Sequence, residues 1–526
     1  MHKQKLYLFS KFRVTKLLLI VFAFTFIVLH SNAQEKNITI LYTNDIESVY
    51  EPVEAFWNND IDYIGGLPYL ATLIHQIQKK EEISFLFDAG DIFTGALSEA
   101  TNGKLPFDVY SSIGYDAIAL GNHEFEYGWE NLLRVKQRAR FPVLNCNIFY
   151  ENTDINLCQA YSIVEKEGVR IGLIGVMGVE AFKNTMNPAH RIGIEARDPY
   201  PVVQNIINEI REEVDLVVLL THQNLSAPMQ TDKEADPEVQ RGFDEDYEMA
   251  GRIKGVDVII GGHSDNGLWK PVIHPKTGTI ICLTFGQGKY LGYLNLDIIK
   301  KEIIFNEGKL IPVDASLLKS DLEVNKLMQK AREQNPELTE TIGSVNNAGY
   351  RKYYRESTLG NLLADMLKEF SNADIGIINS GSIRADLNKG DITLEELINI
   401  YPFVDKFHVV EINGKSLKKL LEYSYQLTYG FVQLSGVTIT YNSQNLEGHR
   451  LINATINGKP INESKKYTVA SSSFLANGGD GFEMLEKGRL ISISEANLID
   501  YYIDYIRSKK HLEIPPLGRQ IDVSRK

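Results

Sequence analysis

The stretch Ala117-Ile118-Ala119-Leu120-Gly121-Asn122-His123-Glu124 sets four apolar residues directly before a glycine, an amide, an imidazole and a carboxylate. An apolar run of that length, without polar alternation, fits a strand buried on both faces, the kind found in parallel sheets. Its polar residues then cluster at the carboxyl end of the strand. The arrangement recurs on either side. The run 38–42 leads to Asn44 and Asp45, and the run 83–87 to Asp88 and, past Gly90, to Asp91. The run 216–220 reaches His222, and the run 256–260 passes Gly261 and Gly262 to reach His263.

In open α/β sheets, ligands bind in the crevice beyond the carboxyl ends of the strands. Five such strand ends therefore predict one place where Asp, Asn and His side chains converge. Taken singly, an Asp after a strand is a turn or cap residue, and a His is a hydrogen-bonded edge residue. Taken together they make a ring of metal-type ligands.

The segments Leu41-Tyr42-Thr43-Asn44-Asp45, Asp88-Ala89-Gly90-Asp91, Gly121-Asn122-His123-Glu124, Thr221-His222 and Gly261-Gly262-His263-Ser264 follow the order that marks calcineurin-like metallophosphoesterases. Arg355-Glu356-Ser357-Thr358-Leu359-Gly360-Asn361, Asn379-Ser380-Gly381-Ser382-Ile383-Arg384, Pro402-Phe403 and the loop Phe474 to Gly481 resemble the substrate-binding domain of 5'-nucleotidases. The resemblance covers nearly all of the chain past its first 34 residues. It implies an α/β fold. An N-terminal four-layer α/β/β/α metallophosphoesterase sandwich (residues 35–312) is joined by a linker helix or hinge (313–342) to a C-terminal mixed α/β substrate-binding domain (343–526). It also implies a hydrolase that removes phosphate from 5'-nucleotides, with two divalent metal ions, Mn, Zn or similar, as cofactors.

By that resemblance Asp91 bridges the two ions, Asn122, His222 and His263 complete one shell, and Asp45 belongs to the other. Such mixed donors suit Zn, Mn, Co or Fe rather than Ca. Two ions a few ångströms apart acidify a water and clamp phosphoryl oxygens. His123 then faces the phosphoryl group, and Glu126 orients it through a carboxylate contact. The chain departs from the family pattern in three places. Glu47 and Asp265 stand where relatives carry neutral ligands, and Glu126 lengthens the orienting acid by one methylene. If Glu47 and Asp265 bind, one ion sees an oxygen-only shell with Asp45 and Asp91, which favours a harder ion such as Mn or Mg over Zn. If they do not, that ion is weakly held.

For the second half the resemblance implies that Phe403 and Phe474 sandwich a nucleobase, Asn379 and Asp480 bond base or ribose, Gly381 lines the site, and Arg355 and Arg384 meet phosphate. Stacking tolerates any base, and a guanidinium binds phosphate bidentately. Between the halves, charged residues surround spaced Leu317, Leu318, Leu322, Leu327 and Met328, a pattern that reads as an exposed linker helix. With metals on one domain and the base clamp on the other, catalysis requires hinge closure.

The first 33 residues carry Lys3, Lys5, Lys11, Arg13 and Lys16 before an apolar run, 17–29, and end at Ser31-Asn32-Ala33, the layout of a cleaved secretory signal. The expected location is therefore periplasmic or secreted, with no stable membrane insertion after cleavage. Losing those cations takes the formal charge from -13 to -18. A surface that acidic turns away nucleic-acid polymers and leaves a small nucleotide as the expected partner. Cys146, Cys158 and Cys282 are too few for a disulfide scaffold, although Cys146 and Cys158 are close enough in sequence to pair.

Rival readings share the architecture. 2',3'-cyclic-nucleotide 2'-phosphodiesterase/3'-nucleotidase and UDP-sugar hydrolase activities use both domains, as does a thiosulfate-ester hydrolase. Phenylalanine at both clamp positions favours the 5'-nucleotidase. A binder of another class, a nucleotide-scavenging protein with a degenerate first metal site, has no need to keep a transition-state histidine such as His123.

Overall fold

The structure, a computed structural model, describes residues 35–55, 60–225, 241–426 and 431–524. The expected signal segment lies outside them. Two six-stranded sheets form the centre of the first half. One runs in the order Glu302–Pro312, Tyr290–Ile299, Lys36–Thr43, Ser84–Asp88, Ala117–Ala119 and Val143–Leu144. The other runs Val272–Ile273, Ile280–Cys282, Val258–Gly262, Leu216–His222, Val169–Met177 and Tyr161–Lys166.

The strand Leu216–His222 is buried along its whole length, and its period-two alternation explains why. Leu216, Val218 and Leu220 enter the core between the sheets, where they meet Ile38, Ile40, Phe85, Phe87 and Ile260. Val217 and Leu219 point the other way, into a core shared with Val203, Ile206 and Ile210 of the helix Pro199–Ile210. On the far face of the first sheet, Leu41, Leu86 and Ile118 pack with Leu70, Ile74, Phe107 and Tyr110 of the helices Leu67–Gln78 and Lys104–Ile113. The result is a four-layer α/β/β/α sandwich.

The strands that carry the candidate ligands are mutually parallel. Thr43 pairs with Asp88, Phe87 with Ala117, and His222 with Gly262. Their carboxyl ends therefore open at one edge of each sheet, and the two edges face a common crevice.

The helix Leu322–Gln334 does not stand exposed between domains. Asp321 caps it, accepting from Glu323 and Val324 N–H, and Val324, Met328 and Ala331 are buried in the helical core of the first half. These residues repeat at i, i+4 and i+7, a face that the more conspicuous leucines obscure. Leu317 and Leu322 are exposed. Leu338 still belongs to that core.

The second half is built on a mixed five-stranded sheet, Val432–Ser435, Ile375–Asn379, Lys466–Ser472, Phe407–Asn413 and Arg489–Ile493, flanked by a three-stranded and a four-stranded sheet. Helices Thr358–Ser371 and Leu498–Lys509 cover one face and Gly414–Tyr423 the other. Cys146, Cys158 and Cys282 are all buried free thiols, so the possible bridge between the first two is not formed. Among the described residues, no helix is long and apolar enough to cross a membrane.

Candidate active site

Where the strands stop, the backbone turns left-handed. Asp45, Glu47, Asp91, His263 and Asp265 have φ of 52°, 52°, 61°, 80° and 57°. Such a conformation costs a non-glycine residue on the order of 1 kcal/mol, so its recurrence at five candidate ligands marks a site where position outweighs local comfort. Glu124 holds much of this in place. Its buried carboxylate accepts from four backbone N–H groups: Gly121 at 2.5 Å, Asp91 at 3.0 Å, Ile92 at 2.7 Å and Phe93 at 3.2 Å. It thereby fastens the Asp91 turn to the Asn122 turn. Gly121 is required at this junction, because a Cβ there would lie 2.2 Å from an Asp91 carboxylate oxygen.

Asp91, His222 and His263 place one donor atom each within 4.8 Å of one another. The His222 ring is fixed by its Nδ1, 2.9 Å from the Ala89 carbonyl, to which that nitrogen donates. Its Nε2 then faces an Asp91 oxygen at 2.9 Å and the Asn122 side-chain oxygen at 3.1 Å. Burial would depress the His222 pKa, yet the Asp91 and Asp45 charges hold it near 10. Burial likewise opposes ionisation of Asp91, but His222 and His123 keep it below the usual carboxylate range. Burial beside the cationic His222 pushes His263 down to about 3, which keeps that imidazole neutral and able to ligate.

Beside this group stands a second, all-acid set. Asp45 accepts from His263 N–H at 2.9 Å. Burial, with Asp265 and Asp91 nearby, raises Asp45 to about 7, and desolvation of its carboxyl group beside Glu47 raises Asp265 to about 6. Glu47 is buried, and one of its carboxylate oxygens, Oε2, has no hydrogen-bond partner. Three buried carboxylates, Asp45, Glu47 and Asp91, with an unsatisfied oxygen among them and the more exposed Asp265 beside them, are strongly unfavourable unless cations compensate them. The chemistry of both donor sets fits divalent metal ions.

His123 contacts Glu126, its Nδ1 lying 2.5 Å from Oε1, and the Thr94 hydroxyl donates to that same oxygen at 2.7 Å. Its Nε2 accepts from Arg384 Nη2 at 2.8 Å. Arg384 arrives from the second half of the chain, on the turn after the strand Ile375–Asn379, and its Nη1 sits 3.0 Å from Glu47. Gln287 donates to the Arg384 carbonyl at 3.4 Å and accepts from Arg351 at 2.9 Å.

One cleft between the halves is lined by Asp45, Glu47, Asp91, Asn122, His123, Glu126, His263 and Asp265, and also by Asn379, Gly381, Arg384, Phe403, Phe474 and Asp480. His222 lies fully buried behind Asp91. Phe403 packs against His123 at 6.3 Å and under Arg384 at 5.8 Å. Asn379 donates to Asp480 at 3.0 Å, and burial lifts Asp480 to about 7.

Arg355 is the exception among the expected residues: it is exposed and does not line the cleft. Gln433 is the cause, because it donates to the Arg355 carbonyl and accepts from Ser357 N–H, fixing the chain so that this side chain faces away. Arg351 bonds the Ile383 carbonyl and Gln287 and does not line the cleft either. Sequence reading also missed Thr94, Glu124, Tyr127, Met186, Asn187, His190 and Tyr353. Glu124 was visible inside its motif. The others carry no local signal, since each becomes a site residue only through packing.

Two family models match the chain side by side, calcineurin-like phosphoesterase over residues 38–266 and the C-terminal domain of 5'-nucleotidase over residues 338–487. A 5'-nucleotidase of Bos taurus is 28% identical over 545 residues, covering 93% of this chain and 91% of its own. The snake venom 5'-nucleotidase of Crotalus adamanteus is 29% identical over 528 residues, covering 89% and 86%. Among solved structures, a 5'-nucleotidase precursor from Thermus thermophilus superposes with a TM-score of 0.80 at 25% identity, over 93% of this chain and 100% of that one. With the two family models matched in order and these relatives aligned over 89% and 93% of the chain, the chain belongs to the 5'-nucleotidase family of phosphoric ester hydrolases.

Proposed function

We propose that the protein is an exported 5'-nucleotidase that uses two divalent metal ions, and that Phe403 and Phe474 hold the base. The observation that carries this reading is the shared cleft: the carboxylate and imidazole donors form one wall, and the two phenylalanines with Asn379 and Asp480 form the other. A phosphate at the first wall and a base at the second describe a nucleotide.

Divalent ions held by Asp91, Asn122, His222 and His263 on one side and by Asp45, Glu47 and Asp265 on the other would supply a water of lowered pKa and draw charge from the phosphoryl oxygens. The chain's own groups do the rest. Arg384 is aimed at the same place and offers a guanidinium to phosphate oxygens. Glu126 accepts a hydrogen bond from His123 Nδ1–H, so Nε2 is the atom that faces the phosphoryl group and its departing oxygen. Phe403 lies against both His123 and Arg384, which ties the base end of the cleft to the phosphate end.

The pivot for opening falls after Leu338, because the helix before it is anchored in the first half. Arg332 spans the two halves there, bonding Glu51 at 2.9 Å and Glu395 at 2.7 Å. The test is a substrate panel of AMP, 3'-AMP, 2',3'-cyclic AMP and UDP-glucose. AMP should give the highest kcat/KM, and a clear preference for the cyclic ester or the UDP-sugar would replace this assignment.

A further inference from the structure

We propose that Asp405 is a positioning residue that joins the loops carrying Phe403 and Phe474 into one rigid jaw and so sets the gap offered to a nucleobase. This rests on the reading of those two rings as a base clamp. Asp405 follows Phe403 by two residues, is buried, and lines the same cleft. The Tyr401 hydroxyl donates to its Oδ1 at 3.0 Å, and the same carboxyl group lies beside the Phe474 N–H and the Ser473 hydroxyl, both of which favour its charged form. One carboxyl group therefore faces polar hydrogens from both loops.

The main chain repeats the connection. Ser473 N–H donates to the Lys406 carbonyl at 2.6 Å, and Leu498 N–H donates to the Asp405 carbonyl at 2.7 Å. Each ring is also backed. Tyr401 packs edge-on against Phe403 at 5.7 Å, and Gly479 lies so close to Phe474 that a Cβ there would come within 2.6 Å of the ring. Neither ring can retreat into its own loop, so the spacing between them depends on the Asp405 bridge. The Asp405 carboxyl group is bonded by Tyr401 and faces Ser473 and Phe474, and not His123, Arg384 or the ligand residues, so its loss should be felt at the base and not at the phosphate.

The experiment compares metal-replete full-length Asp405→Ala, Asp405→Asn and Tyr401→Phe with the unmodified protein. Turnover is measured on AMP and on p-nitrophenyl phosphate, which has no nucleobase, and adenosine binding is measured by calorimetry. Asp405→Ala should weaken adenosine about tenfold, and lower the ratio of kcat/KM for AMP to that for the aryl phosphate by a similar factor. The effect should sit in KM for AMP. Asp405→Asn keeps an acceptor oxygen and should restore the ratio to within about threefold. Equal losses on both substrates, or unchanged adenosine affinity, would overturn the proposal. Phe403→Ala and Phe474→Ala separate the two levels: if they leave adenosine binding intact, the clamp itself is wrong, whereas if they weaken it and Asp405→Ala does not, only the bridge is wrong. Should Asp405→Ala fail to fold, Tyr401→Phe removes a single donor. It must still raise KM for AMP selectively, and no change would refute the bridge.

Discussion

The Glu47 carboxylate and the Arg384 guanidinium meet at 3.0 Å across the boundary between the two halves of the chain. An acid in the metal-type cluster thus holds the arginine that is proposed to receive phosphate. Burial alone would lower the Arg384 pKa, but Glu47 and Asp265 keep it above its ordinary value, so the guanidinium stays charged in this pocket. On the proposed reading, substrate and ions would compete with that pair for both partners.

Metal preference follows from the acidity of this wall. Protein stripped of metal and reconstituted with Mn should regain more activity than with Zn, and Glu47→His should narrow the difference. Equal reactivation of the unmodified protein by both ions would remove the case for an oxygen-rich shell.

His123→Ala should lower kcat on AMP by about 10²–10⁴-fold with little change in nucleoside affinity, the signature of a group acting in the transition state. Glu126→Gln and Thr94→Val leave the ring present but loosen its orientation, so their losses should be smaller, about tenfold. Steady-state kinetics on the three variants, set beside calorimetric binding, would show whether that order holds.

Glu124→Ala would orphan four backbone N–H groups in a buried turn, each worth about 1–3 kcal/mol if left without a partner. The expected outcome is a large drop in the thermal midpoint together with a loss of metal affinity of about 10–100-fold. A variant that melts early but binds metal normally would show that Glu124 supports the fold and not the ligand geometry.

The pH dependence of stability should carry a contribution from Asp405, which burial raises to about 7. The unfolded value is about 4, so the folded state holds the proton more tightly. That stabilisation is complete below about pH 4, shrinks as the pH rises, and is gone above about 7. Asp405→Asn titrates in neither state. Its stability relative to the unmodified protein should therefore rise by roughly a few kcal/mol between about pH 4 and about pH 8 in denaturant titrations, and a flat difference would contradict the shift.

Removing metal with a chelator should abolish turnover and lower the melting temperature, more at pH 8 than at pH 5. At the higher pH Asp45 and Asp265 lose the protons that desolvation and their acid neighbours favour, and the carboxylates repel. Re-addition of a divalent ion should restore both properties.

The strand ends are written in local pattern. Apolar runs that stop at Asp, Asn or His beside glycine can be read from short windows, and parallel pairing then forces their ends to one edge, so Asp45, Asp91, Asn122, His222 and His263 are legible in the chain itself. The four layers follow from the family resemblance and not from those windows. The remaining site residues depend on how distant segments stack. Thr94 and Glu124 act through hydrogen bonds that join turns about thirty residues apart, Arg384 reaches His123 over 261 positions, and Arg355 is turned away by Gln433, 78 positions later. The helix Leu322–Gln334 reads as exposed because its buried face uses Val324, Met328 and Ala331, which are individually weak signals. Local periodicity reports which face of an element is apolar, but contact across the chain depends on how those faces are stacked, and no short window of sequence contains that geometry.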